Sequence, residues 1–289
     1  MRQSADGGIS PAALSRFVTR DMPHIASGLV VEAAWATAHM VMYPLGLLSA
    51  SARVTNGPRH HNLSGLSPEQ RGLFHFDVAA AETPILLVHG IIDNHVIFTV
   101  MERSLRRRGF QTLSAYDYGL LTHNIPRAAE RFGEAVQKLS AATGYERIHV
   151  IGHSLGGLIA RYYVQLLGGD SHVHTLVTLG TPHQGTRLAW AAPVLPLIRQ
   201  LTPTSPVIQE LAQPASGCRT RFIAFHSDID HLIVPSRNAR LDHPDLNVRN
   251  IAVRGVGHLS MPNDGRIAFT IARALGQLDH DGTASALSS

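Results

Sequence analysis

From residue 73 onward, short apolar, β-prone runs alternate with longer segments whose apolar residues recur at helical spacing. Residues 84–89, 111–116, 147–151, 174–179, 221–225 and 250–254 read as strands, short runs in which apolar, β-prone residues recur. Between them the pattern predicts helices over 95–108, closed by Gly109, from Pro126 to about Thr143, closed by Gly144, over 155–167, and near 264–276. Strands apolar on both faces and separated by helices imply an α/β domain. Its sheet should have about six strands, mainly parallel, with helices on both faces and right-handed crossovers. Function is then expected at the carboxyl ends of the strands. There is no internal repeat. Residues 183–217, rich in Pro, Leu and Gln, break the alternation and are too long for a simple connection, so they read as a partly helical, cap-like insertion within a catalytic domain spanning 73–280.

Upstream the pattern changes. Residues 33–52 contain no Lys, Arg, Asp or Glu, and Arg16 and Arg20 precede them. A run of that length is about what a bilayer span requires. It also holds His39, Pro44, Gly46 and several hydroxyl residues, and Leu29, Ala33, Trp35, Met40 and Met42 suit a helix packed on protein or lying at a membrane surface. Residues 1–52 are therefore expected to form an apolar helical segment, packed or interfacial. A membrane anchor and a signal peptide ending near Ala50-Ser51-Ala52 stay open, and with them a cytoplasmic, membrane-associated or secreted location. Residues 53–72, rich in Ser, Gly, Pro, Asn and His, read as a connector.

Composition narrows the classes. With 44% apolar and 16% charged residues, the 289-residue chain can bury a sizeable core and is neither disordered nor fibrous. The net charge of +4 comes from scattered arginines, not a basic stripe, which argues against nucleic acid as a partner. Cys218, the sole cysteine, excludes an intrachain disulfide and a cysteine-built zinc site. No His-x-x-x-His or Glu-rich ligand spacing falls on an expected helix, so no metal or other cofactor is expected.

The segment Ile151-Gly152-His153-Ser154-Leu155-Gly156-Gly157 ends an expected strand and opens an expected helix, the context that a G-x-S-x-G elbow requires. An abrupt strand-to-helix turn forces the serine into a strained conformation, and Cβ atoms at 152 and 156 would collide with neighbouring backbone. Ser154 would project above the sheet as a nucleophile, with the helix N-terminus favouring negative charge. A serine hydroxyl at neutral pH needs a histidine to take its proton and a carboxylate to orient that histidine.

On these residues the chain resembles the α/β-hydrolase superfamily, and within it bacterial lipases and esterases. The resemblance spans about residues 82–276. It is carried by His89-Gly90 after the first strand, by the elbow, by Leu179-Gly180-Thr181-Pro182-His183-Gln184-Gly185-Thr186, and by late Asp and His segments. It implies that the backbone N–H groups of Ile91 and Leu155 form an oxyanion hole. Ile92, Asp93 and Asn94 depart from the small residues that many relatives carry there. It also implies the chain order Ser, acid, His. Asp230, followed by His231-Leu232-Ile233-Val234-Pro235, fits the family's acid position, with Asp228 as the alternative. His258, in Gly255-Val256-Gly257-His258, fits the family's histidine loop, whose glycines let a short loop return the imidazole over the elbow.

Among the other histidines, His153 occupies the elbow's variable position, His89 ends a strand, His183 is expected in the active-site wall, and His226 and His231 flank the acid. The implied activity is hydrolysis of lipid or medium-chain carboxylic esters through an acyl-enzyme. The alternatives are a thioesterase, amidase or acyltransferase built on the same residues, a non-catalytic binding protein of this fold, or a membrane-attached interaction protein. The ester is the expected partner, with lipid-surface contact through the N-terminal helix.

Overall fold

The computed structural model describes residues 81–91, 93, 95–119, 122–191 and 194–276. The N-terminal helical segment expected over 1–52, the connector over 53–72 and both ends of the 73–280 domain lie outside the described residues. No helix of the described residues is long and apolar enough to cross a membrane.

Six strands, β1 (Ile85–Val88), β2 (Leu113–Tyr116), β3 (Ile148–His153), β4 (Val173–Leu179), β5 (Arg221–Ser227) and β6 (Asn247–Val253), form one sheet in the order β2-β1-β3-β4-β5-β6. Every neighbouring pair is parallel. Side chains alternate between two cores. Leu86 and Val88 of β1, Ile148 and Val150 of β3, and Phe222 and Ala224 of β5 enter one core with helices α2 (Ile125–Thr143) and α3 (Leu155–Leu166). Ile85 and Leu87, Ile151, and Ile223 and Phe225 enter the other, with α1 (Thr99–Arg107) and α6 (Gly265–Leu275). This explains the continuous apolar runs, since every position of a central strand faces protein.

Boundaries shift where polar contacts outweigh pattern. The helix expected from residue 95 opens with a 3-10 turn, His95–Phe98, before α1. There the Asp117 carboxylate accepts His95 N–H at 3.0 Å and lies 2.8 Å from its Nδ1, tying this turn to the end of β2. Strand β6 begins before residue 250 because it is an edge strand whose early residues Asn247 and Arg249 are exposed and leave no apolar signal. Helix α2 is bounded as its sequence suggests: Asn124 Oδ1 accepts Arg127 N–H at 2.8 Å, and Gly144 ends it at φ 76°.

The insertion between β4 and β5 holds a 3-10 turn, Arg187–Ala191, and two short helices, α4 (Pro196–Arg199) and α5 (Pro206–Glu210). Gln200 fastens it to the start of α2, accepting Ile125 N–H at 2.9 Å and donating to His123 O at 2.8 Å. The chain adds β2 on one side of β1 and β3 on the other, so the strand order reverses at β1 and β3. A crevice at the carboxyl ends follows from that reversal, and His89-Gly90 and Ser154 lie on its two sides.

Candidate active site

The turn from β3 into α3 is packed backbone against backbone. A Cβ on Gly152 would fall 2.5 Å from Gly157 Cα, and one on Gly156 would fall 2.3 Å from His89 O, so neither position accepts a side chain. Between them Ser154 adopts φ 52° and ψ −122°. It is the single non-glycine residue with positive φ among the described residues. Such a conformation costs on the order of 1–3 kcal/mol and persists only where its surroundings enforce it. Here Ser154 N–H donates to Leu179 O at 2.8 Å, and Thr181 Oγ1 donates to Ser154 O at 2.9 Å. The segment after β4 thus clamps both ends of the serine's main chain.

Beyond β5 and β6, Asp230 and His258 come together. Asp230 Oδ2 lies 2.8 Å from His258 Nδ1, and both residues are buried. Asp230 Oδ1 accepts the N–H groups of Leu232 and Ile233, each at 3.0 Å. Burial alone would raise the Asp230 carboxyl, but the facing His258 and these N–H donors outweigh it and hold the carboxyl below its usual range. An ionised Asp230 accepts from Nδ1–H, which leaves His258 Nε2 as the basic nitrogen. Gly180, at φ 56°, packs against this pair. A Cβ there would approach Asp230 Oδ2 and His258 Nδ1 to 3.0 Å each.

Asp228 does something else. It is exposed, and its Oδ1 accepts Gly255 N–H at 3.0 Å, which pins the loop that carries His258. His226 donates from Nδ1 to Ile251 O at 3.0 Å and His231 is exposed, so neither bonds to Asp230.

His153 is buried beneath the elbow. Its Nε2 donates to His258 O at 3.0 Å, and the two rings lie 4.9 Å apart. Its Nδ1 is 3.7 Å from Asp93 Oδ2, so that Asp93, the residue at odds with the oxyanion region in the sequence, turns toward an imidazole. Burial lowers the His153 pKa, with Asp93 opposing the effect. His183 departs from its expected place in the active-site wall. Its Nε2 lies 2.9 Å from Thr178 Oγ1, and it lines a separate cavity of about 440 Å³ with Arg161 and Trp190 that contains neither Ser154, Asp230 nor His258. Gly180 and Thr181, earlier in the same segment, make the contacts with the elbow.

The two expected backbone donors sit on either side of the crevice. Leu155 is the first residue of α3, so its N–H has no intrahelical partner. Ile91 follows Gly90, and a Cβ on Gly90 would lie 3.1 Å from Ser154 Cβ, which places this segment directly against the serine. No acceptor among the described residues takes the Ile91 N–H. Next to Ile91 opens a cavity of about 400 Å³ walled by Leu195, Leu197 and Ile198 of the insertion and by Tyr118 after β2. Sequence reasoning missed Tyr118, and it singled out Gly180 and Thr181 only within the Leu179–Thr186 segment, without their contacts. The one signal available for Tyr118 was its position just past the carboxyl end of a strand. Among the described residues, no group of three or more His, Cys, Asp or Glu side chains is placed to hold a metal ion.

Comparison with known proteins agrees with this fold. Residues 83–196 match the family described as alpha/beta hydrolase fold. A triacylglycerol lipase of Pseudarthrobacter phenanthrenivorans is 30% identical over 118 residues, covering 38% of this chain and 36% of the relative. One from Vibrio cholerae is 29% identical over 134 residues, 45% of this chain and 40% of the relative. The chain thus spans well under half the length of these curated relatives. Among solved structures, the mature form of a Bacillus licheniformis lipase superposes with a TM-score of 0.56 at 17% identity, covering 70% of this chain and 94% of that one. Aspergillus fumigatus lipase B does so at 0.58 and 15%, covering 78% and 61%. The described domain has an α/β-hydrolase fold and is similar to bacterial lipases and esterases.

Proposed function

We propose that this α/β-hydrolase chain is a serine carboxylic-ester hydrolase in which Ser154 is the nucleophile, His258 the general base and Asp230 the residue that orients it. The observation that carries this reading is the buried 2.8 Å contact from Asp230 Oδ2 to His258 Nδ1 beside a serine held at positive φ. Ser154 Oγ attacks the ester carbonyl as His258 Nε2 takes its proton. The carbonyl oxygen becomes an oxyanion, held by the N–H groups of Ile91 and Leu155. The oxyanion collapses and expels the alcohol, which takes the proton from His258 and leaves an acyl-Ser154. Water then repeats the sequence and releases the acid. The apolar cavity next to Ile91 supports a lipid or medium-chain acyl group as substrate.

The test is hydrolysis of p-nitrophenyl esters of graded chain length by wild type and by Ser154→Ala, His258→Ala, Asp230→Ala and Asp228→Ala. Loss of ~10³-fold or more in kcat is expected for the first two. Asp230→Ala should cost far more than Asp228→Ala. Wild-type activity in Ser154→Ala would falsify the mechanism, and a larger loss at Asp228 would reverse the acid assignment.

A further inference from the structure

The carbonyl of Gly90 is held from two directions. Tyr118 OH donates to it at 2.6 Å, and His89 Nδ1 lies 2.9 Å from it. The same phenol is 2.9 Å from His89 O, and its ring stacks on the His89 imidazole with centroids 4.3 Å apart and 18° between planes. Asp117, the residue before Tyr118, is bonded to both the main chain and the ring of His95 and lies 3.4 Å from His89 Nε2. The phenol is therefore mounted on a fixed segment at the end of β2.

A covalent constraint turns this contact into a statement about the reaction. Gly90 C=O and Ile91 N–H belong to one peptide unit, and in a trans peptide the two bonds point in opposite directions. A donor that fixes the carbonyl on one side fixes the N–H on the other. The crevice side of this peptide is where Gly90 meets Ser154, since a Cβ on Gly90 would lie 3.1 Å from Ser154 Cβ. We propose that Tyr118 is a positioning residue for acyl transfer: by holding the Gly90 carbonyl, its hydroxyl aims the Ile91 N–H at the developing oxyanion. This rests on the reading of Ser154 and Ile91 given above. Burial and the nearby Asp93 and Tyr116 push the phenol pKa well up, so the hydroxyl keeps its proton through neutral and mildly alkaline pH. Because Tyr118 also walls the cavity beside Ile91, contact with the acyl group is the competing role.

Tyr118→Phe separates the two, because it keeps the stacked ring and removes one oxygen. Kinetics on a p-nitrophenyl ester are expressed per site titrated to completion with a p-nitrophenyl phosphonate, so that misfolded molecules do not count. Loss of an oxyanion donor typically costs ~10²–10³-fold, and a donor retained but loosely aimed should cost roughly 10–100-fold in kcat with KM within about twofold. A trifluoromethyl ketone of matching chain length, which adds to the serine as a tetrahedral oxyanion, should weaken by a similar factor. Tyr118→Leu should add a rise in KM to the same kcat loss. A Tyr118→Phe enzyme with kcat within twofold of wild type, a loss confined to KM, or unchanged ketone inhibition would overturn the proposal. Ser154→Ala, run alongside, distinguishes the two levels: full activity there removes the underlying mechanism, whereas an inactive Ser154→Ala beside an unimpaired Tyr118→Phe removes only the role of Tyr118.

Discussion

At the scale of single residues, the site is specified by where side chains are forbidden. Gly152 and Gly156 are glycines because backbone occupies the space a Cβ would need, and the same crowding drives Ser154 to φ 52°. Gly180 carries both constraints, a positive φ and a neighbouring Asp-His pair at 3.0 Å. Gly180→Ala should therefore act twice. The left-handed conformation costs a Cβ-bearing residue roughly 1–2 kcal/mol. The methyl also presses on the contact between Asp230 and His258. A melting temperature a few degrees lower is expected, with a disproportionate fall in kcat per folded molecule, ~10-fold or more given how steeply rate depends on placement. Circular dichroism melts alongside initial rates would check this, and a variant that loses stability at wild-type kcat would refute it. The elbow was legible in the sequence because glycine spacing records such crowding directly, and the histidine loop was read from its resemblance to the family's pattern. Asp230 was favoured over Asp228 only by family resemblance, with Asp228 left as the alternative, since two carboxylates separated by one residue look alike until one meets an imidazole and the other caps Gly255 N–H. Tyr118 left no pattern, and Gly180 stood out only within a family motif, because their roles are contacts between segments distant in the chain.

At the scale of elements, the insertion shows how a region without periodicity can still be read. The departure of 183–217 from the alternating pattern marked it, and proline at the first position of both α4 and α5 accounts for where its two short helices begin. Its placement was not legible, because it depends on contacts with segments distant in the chain, that of Gln200 among them. Gln200 bonds to Ile125 N–H and His123 O at the start of α2, and to Pro196 O within the insertion at 2.9 Å. It thereby holds Leu195, Leu197 and Ile198 over the cavity next to Ile91. Gln200→Ala leaves Ile125 N–H without its protein partner and frees that wall. The expected outcome is a KM increase of several-fold for longer acyl chains and little change for acetate esters. Stability should fall by about 1–2 kcal/mol, the usual cost of a lost partner for a partly buried donor. KM values across a p-nitrophenyl ester series decide it, and a uniform change across chain lengths would separate the insertion from acyl recognition.

At the scale of the whole molecule, one polar group sits where pattern alone placed only apolar packing. His149 lies within β3 between Ile148 and Val150, fully buried, with neither ring nitrogen hydrogen-bonded among the described residues. Its ring meets that of His174 edge-on at 5.4 Å. The run read simply as strand, because the sequence shows a histidine there but not its depth, and burial is a property of the assembled layers. Burial first, then the neighbouring His174, Arg221 and Arg147, lower its pKa to about 3. In the unfolded chain an unperturbed histidine titrates near ~6.5. Above that value His149 is neutral in both states and exerts no pH effect. As pH falls below it, the unfolded chain binds a proton that the folded protein refuses, and stability falls by about 1.4 kcal/mol per pH unit until the folded group titrates near pH 3. Asp230, held below its usual range, adds its own loss only at lower pH. The buried His89, His153 and His183, also lowered, steepen the same window, so the contribution of His149 has to be read as a difference. His149→Leu should gain on wild type by about 2 kcal/mol between pH 6 and 4.5, with about one fewer proton taken up on unfolding. Urea midpoints measured across that interval give the comparison. Parallel profiles for the two proteins would mean that His149 finds a partner for its charged form, and that the core on this face of the sheet admits water or an acid from elsewhere in the chain.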